Sequence, residues 1–199
     1  MDEIVRLGLK KWPNVPDCFG WLSLDGRGRW RIGAAREVIT HRATIAFIGR
    51  NYLSDERGRW LFQNGPQRVY VDLEYTPWIW ILTARETDWS LADHTGVLAT
   101  RLDQVCIDDE GRFLIVCGDR VGVLHDHDTA RFLDRVQGPS GGRPDDEELT
   151  VALEAYEKGQ DGRLHLAWPE QDGLIPIGGI ARSTAASRFG FVAHPDPKV

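Results

Sequence analysis

From Arg68 to Tyr75 the chain alternates strictly. Val69, Val71, Leu73 and Tyr75 fall on one side, and Arg68, Tyr70, Asp72 and Glu74 on the other. A period of two with one apolar side predicts a half-buried β-strand. Pro77 interrupts the pattern, and Trp78-Ile79-Trp80-Ile81-Leu82 follows without a polar residue. A strand that is apolar on both sides needs cover on both, or a partner against one. Leu149, Leu153 and Tyr156, a helical stripe further on, would cover one face. That leaves Trp78 and Trp80 as the pair predicted to border a ligand groove or a homodimer contact. Arg59–Gln63 reads as the strand preceding Arg68–Tyr75. The loop between them is expected to run from Asn64 to Gln67, because Pro66 cannot donate the amide that would close a tight Asn64-Gly65 turn.

Turn chemistry supplies a second regularity. The unit Asp-x-x-Gly-Arg-aromatic occurs as Asp25…Gly28-Arg29-Trp30, Asp55…Gly58-Arg59-Trp60 and Asp108…Gly111-Arg112-Phe113. Asp at the first position and Gly at the fourth suit a type I turn closed by a left-handed Gly, a common hairpin connection. With Asp55 opposite Arg59, Ser54 faces Trp60 and Tyr52 faces Phe62. The same register sets Leu24 opposite Trp30, Leu22 opposite Ile32, Ile107 opposite Phe113 and Val105 opposite Ile115. Hairpins are thus expected at 21–32, 52–75 and 103–117. The Arg after each Gly is not demanded by the turn; it is either an exposed strand residue or a carboxylate partner. Gly159-Gln-Asp-Gly162-Arg163-Leu164 reads as a degenerate fourth copy. The separations of Gly28 from Gly111 and of Gly58 from Gly162 agree once the segment 137–159 is set aside, which suggests a duplicated two-hairpin unit.

Helical signals are fewer. Asp145–Lys158 carries acidic residues in its first turn, one apolar face through Leu149, Ala152, Leu153 and Tyr156, and Gly159 as stop. Asp128 is placed to cap a short helix over Thr129–Val136. Residues 1–18 read as an irregular lead-in, Ala34–Val38 is ambiguous, and Thr44–Ile48 is β-like. Residues 83–95 are polar and aperiodic, so the chain divides on this reading into β-rich halves 1–94 and 95–199. The fold class is α+β, mainly antiparallel β.

Composition agrees, with 8 Trp and 21 Gly against a single Met among 199 residues. A net charge of −6 without a basic run points away from nucleic acid and anionic membranes. Three Cys, with Cys106 expected opposite Leu114 and Cys117 opposite Asp103, read as free thiols of a cytoplasmic protein.

For chemistry, His125-Asp126-His127-Asp128 is the densest set of metal-ligand residue types, with His125 and His127 as the expected ligands. Ser183, Thr184 and Ser187 after Gly178-Gly179 could cradle an anion. No nucleotide or nucleophile motif accompanies them, and no cofactor is identified. Trp60, Tyr70, Trp78 and Trp80 are the candidates to line a groove for a small molecule, sugar or peptide. These residues predict a non-enzymatic ligand-binding or regulatory module. The rival readings are a metal-dependent enzyme using His125–Asp128, and an interaction protein presenting Trp78–Leu82 to a protein partner.

The run GRWLFQNGPQRVYVDLEYTPW at 58–78 resembles one in small proteobacterial proteins of unknown function. The Asp-x-x-Gly-Arg-Trp units are similar to those of another uncharacterised bacterial family. In that family repeated β-rich motifs build two sub-domains, and a signalling or ligand-sensing role has been proposed. The resemblance implies a β-rich repeat fold in a bacterial cytoplasm and transfers no site residues.

Overall fold

The computed structural model describes residues 1–84, 89–169 and 171–197. It is α+β, with five α-helices and two mixed, mostly antiparallel sheets. The chain forms two compact units, residues 1–77 with 189–199, and residues 78–188. The division falls at Pro77, not at the expected 94/95. Residues 83–95 lack periodicity, yet Trp89–Asp93 is a strand internal to the second unit. Residues 85–88 lie outside the described residues.

In the first unit the elements run α1 (Glu3–Lys11), β1 (Cys18–Leu24), β2 (Trp30–Ile32), β3 (Glu37–Val38), α2 (Arg42–Arg50), β4 (Tyr52–Ser54), β5 (Trp60–Asn64) and β6 (Gln67–Leu73). The sheet order is β3-β2-β1-β6-β5-β4, with β1 and β6 parallel and the other neighbours antiparallel. Its apolar face buries Leu22, Leu24, Trp30, Val71 and Leu73. This is the alternating side read from the sequence.

Two helices here depart from expectation. The supposed lead-in holds α1, which buries Val5 and ends on Lys10 and Lys11, where cations suit the helix dipole. Thr44–Ile48 is helical inside α2, despite three β-branched residues. His41 caps it through Nδ1, accepting from the Thr44 amide, and Ile48 and Phe47 pack inward, Phe47 edge-on to Phe62. Burial of that face outweighs a weak intrinsic strand preference. The β5–β6 loop is also tighter than expected, since Asn64 pairs with Gln67. Gly65, at φ 57°, takes the first central position and Pro66 the second, where no amide is required.

In the second unit the strands are β7 (Trp78–Ala84), β8 (Trp89–Asp93), β9 (Gln104–Asp108), β10 (Phe113–Cys117) and β11 (Arg120–Leu124). A 3-10 turn (Asp126–Asp128), α3 (Thr129–Leu133), β12 (Val136–Gln137), α4 (Asp146–Glu157), β13 (His165–Ala167), β14 (Leu174–Ile180) and α5 (Arg182–Phe189) follow. The sheet order is β12-β13-β14-β9-β10-β11-β7-β8. Asp145 and Glu148 form a reciprocal capping box at the start of α4. Ala152 is buried in the core, with Leu149, Leu153 and Tyr156 packed against it.

The two units share a connectivity. A hairpin (β1–β2, β7–β8) precedes a three-stranded meander (β4–β5–β6, β9–β10–β11), and the last meander strand pairs in parallel with the first hairpin strand. By that order the Asp55 turn corresponds to the Asp108 turn. The proposed fourth repeat is not a turn of this kind. At 159–164 the left-handed residues are Gly159 and Arg163, not Gly162. Gly162 is small for a different reason: a Cβ there would lie 2.5 Å from the Tyr156 ring.

Candidate functional site

All three repeat turns close as the register requires. Asp25, Asp55 and Asp108 each accept the amide of the Gly three residues on, and each donates its own amide to the carbonyl of the following Arg. The carboxylates do the rest. One oxygen of Asp55 accepts the Arg57 and Arg59 amides at 3.0 Å, and the other accepts Arg59 Nε at 2.8 Å. Asp25 and Asp108 hold Arg29 and Arg112 the same way. The repeated Arg is therefore the partner of its own turn's carboxylate.

Around Asp55 this device becomes the floor of a cavity of about 1030 Å³ within the first unit. Leu9 of α1, Leu53 and Ser54 of β4, Leu61 and Gln63 of β5, Arg68 of β6 and Pro197 contribute to its lining. The sheet face here is the side of β6 read as polar. Arg59 donates to the Tyr70 hydroxyl at 3.0 Å and lies 4.6 Å over the Tyr70 ring. The hydroxyl in turn donates to Asp55 at 3.2 Å. Phe19 stacks on the same ring, at 4.5 Å and 7°.

A bulge in β1 makes that stack possible. Cys18 pairs with Val69 and Leu22 with Val71, so Phe19, Gly20 and Trp21 oppose Tyr70 alone. Gly20 sits at φ 72°, and the extra length turns Phe19 onto Tyr70 while Trp21 is left exposed.

The electrostatics follow from these contacts. Burial would raise the Asp55 carboxyl, but the Arg59 guanidinium and two amides hold it below the ordinary range. Burial raises the Tyr70 phenol, Arg59 opposes, and the Asp55 carboxylate that accepts its hydrogen bond adds to the rise. Asp55 and Arg59 are thus committed to each other. Arg68 is exposed on the wall and enters no ion pair with the described residues. Asp17 lies on the same wall.

The expected aromatic groove is divided by the structure. Tyr70 does not line the cavity; it is buried beneath the floor, against Phe19 and Arg59, which do. Trp60, the neighbour of Arg59 in the repeat, faces the other side of β5, 4.8 Å from Tyr52. Trp78 and Trp80 are buried, not exposed, because β7 is an interior strand between β8 and β11. Trp80 is fully enclosed in the core and donates Nε1 to the Ile115 carbonyl at 2.9 Å. Trp78 is covered by the Arg120 guanidinium at 4.7 Å and by the His94 ring. The β1 bulge was not visible in the sequence; Gly20 between two aromatics was its one trace.

His125 and His127 lie not on a strand but on the 3-10 turn after β11, with ring centroids 5.0 Å apart. Asp128 makes no cap for α3; its carboxylate accepts the Leu82 amide at 2.9 Å. At Gly178-Gly179 no anion cradle forms, since the first amide of α5 is bound by the Asp109 carboxylate at 2.8 Å. A Cβ at Gly179 would meet Tyr156 Cβ at 2.3 Å, so close packing explains that glycine. The three thiols are free. Among the described residues no helix is long and apolar enough to cross a membrane.

One family model matches residues 1–196: DUF2944, described as "Protein of unknown function (DUF2946)". Comparison with curated proteins finds no match. Among solved structures the chain is similar to a DUF1285 family protein from Silicibacter pomeroyi DSS-3, at 13% identity and a TM-score of 0.47, over 69% of this chain and 87% of that one. It is also similar to a DUF1285 family protein from Shewanella baltica OS155, at 13% identity and a TM-score of 0.42, over 56% and 89%.

Proposed function

The chain is a member of the DUF2944 family, which supplies no activity, and from its own residues we propose a non-enzymatic ligand-binding or regulatory module. It works in a bacterial cytoplasm, and a small molecule occupies the cavity of the first unit. The carrying observation is the cavity of about 1030 Å³ over a floor of Phe19, Arg59 and Asp55 that is already locked by stacking on, and hydrogen bonds with, the buried Tyr70 beneath it. Preorganised, concave and part apolar is what small-molecule sites require.

Binding is favoured over catalysis by the state of the floor. Asp55 has both oxygens engaged and a lowered pKa, so it is a poor proton acceptor. Tyr70 has a raised pKa and keeps its proton, which it shares in a hydrogen bond to Asp55. Among the described residues lining the cavity there is neither His nor Cys. Arg68 is the wall cation available to a ligand's carboxylate or phosphate.

Equilibrium dialysis against a bacterial metabolite extract, read by mass spectrometry, tests this. Wild type should retain one or a few small molecules, and Arg68→Glu and Phe19→Ala should release them with the fold intact by circular dichroism. No retention, or retention equal in the variants, would overturn the reading.

A further inference from the structure

We propose that His125, Asp126 and His127 form a binding site for a divalent transition-metal ion of the zinc type. One ligand atom from each residue lies within 4.8 Å of the others. Two donors bound to one tetrahedral zinc at about 2.0–2.1 Å are roughly 3.3 Å apart, so the set needs only a small inward rotation. His127, with its side chain 72% exposed, has its ring and charge contacts with His125 and Asp126, members of the set itself, and has room for that rotation.

The backbone under the ligands is already fixed. The His125 amide donates to the Trp80 carbonyl at 2.8 Å, and the Asp128 amide to the His125 carbonyl at 2.9 Å. Asp128's carboxylate is anchored on the Leu82 amide, so both ends of the turn are tied to β7. A preordered turn loses little conformational freedom on binding. His125 Nδ1 now accepts the His127 amide at 3.2 Å, but that amide also donates to Asp126 Oδ1 at 2.9 Å. The nitrogen can therefore be given to a metal without orphaning a donor.

Ligand type selects the ion. Two imidazoles and one carboxylate suit Zn²⁺, Ni²⁺ or Cu²⁺, whereas Ca²⁺ and Mg²⁺ call for oxygen-rich shells. Since Asp128 is committed elsewhere, the remaining coordination positions fall to water. The site is independent of the first unit's cavity.

Isothermal titration of the full chain with ZnCl₂, in a non-chelating buffer near pH 7.5, is the test. One ion should bind per chain, and MgCl₂ and CaCl₂ should neither bind nor compete. His127→Ala, on an exposed side chain, should weaken zinc on the order of tenfold to a hundredfold without altering the far-ultraviolet spectrum. His125→Ala should do the same; if it unfolds, His127→Ala alone decides. No saturable binding, or binding unchanged in His127→Ala, would overturn the proposal.

Discussion

The turns at Asp55 and Asp108 have the same local bonds and opposite surroundings. In the first, Gly58 is pinned from outside: its carbonyl accepts the Val192 amide, and a Cβ there would lie 2.1 Å from the Gly190 carbonyl oxygen. In the second, the Cβ position of Gly111 is open, but Asp108 is more deeply enclosed than Asp55. A fourth turn, at Asp93, has the Asp and the Gly but no Arg of its own. It accepts the Thr95 and Val97 amides and borrows the guanidinium of Arg120 from β11. One sequence device can thus have its strength placed in the glycine, in the carboxylate or in a distant cation.

Breaking that comparison at the glycines should give the largest effect. Gly58→Val combines positive φ, about 1–2 kcal/mol, with a backbone clash, about 1–3 kcal/mol, so about 2–5 kcal/mol in total. Gly111→Val meets only the φ strain, roughly 1–2 kcal/mol. Chemical denaturation of both variants checks the ranking; equal midpoints would mean that the contact with Gly190 carries no weight.

Acid should separate the turns next. His94, inside the Asp93 turn, is held to about pKa 4 by burial, with Asp93 opposing and Arg120 assisting. The unfolded chain binds that proton near pH 6.5, so the contribution is full above 6.5 and is lost as pH falls towards 4, by about 3 kcal/mol. Asp25 and Asp55 have lowered folded pKa values despite the opposing effect of burial, so their contribution persists to lower pH and fades only below about 4. Denaturant midpoints from pH 7 to pH 4 should fall in wild type and flatten in His94→Gln. A slope unchanged in that variant would remove His94 from the account.

The smallest effect is expected from the carboxylates. Asp108→Asn replaces the buried carboxylate that holds Arg112 by a neutral amide, at about 2 kcal/mol. Asp55→Asn, partly open to water beside the cavity, should cost about 1 kcal/mol. Thermal melts of the pair measure the difference directly.

What could be read in advance was whatever depends on neighbours along the chain. The hairpin pairs Tyr52–Phe62, Leu24–Trp30 and Ile107–Phe113 stand as the turn chemistry implied, and so does the helix after Asp145 with acidic residues in its first turn. What could not be read depends on partners far apart. The helicity of Thr44–Ile48 rests on burial against β5, and the enclosure of Trp78 and Trp80 rests on parallel pairing with β11. The cavity was half legible: Tyr70 was a candidate, but Phe19 reaches it only through a bulge, and Arg59's role needed the geometry of Asp55.

The contact of Val192 with Gly58 also orders events in time. A ribosome delivers residues 189–199 only after every strand of the second unit, yet Val192 and Ala193 bond Gly58 and Leu73 in the first. The first unit combines residues 1–77 with a segment that starts at 189, after the whole of the second. During synthesis its Asp55 turn stands without its lid while the second unit, contiguous in sequence, already has all its parts.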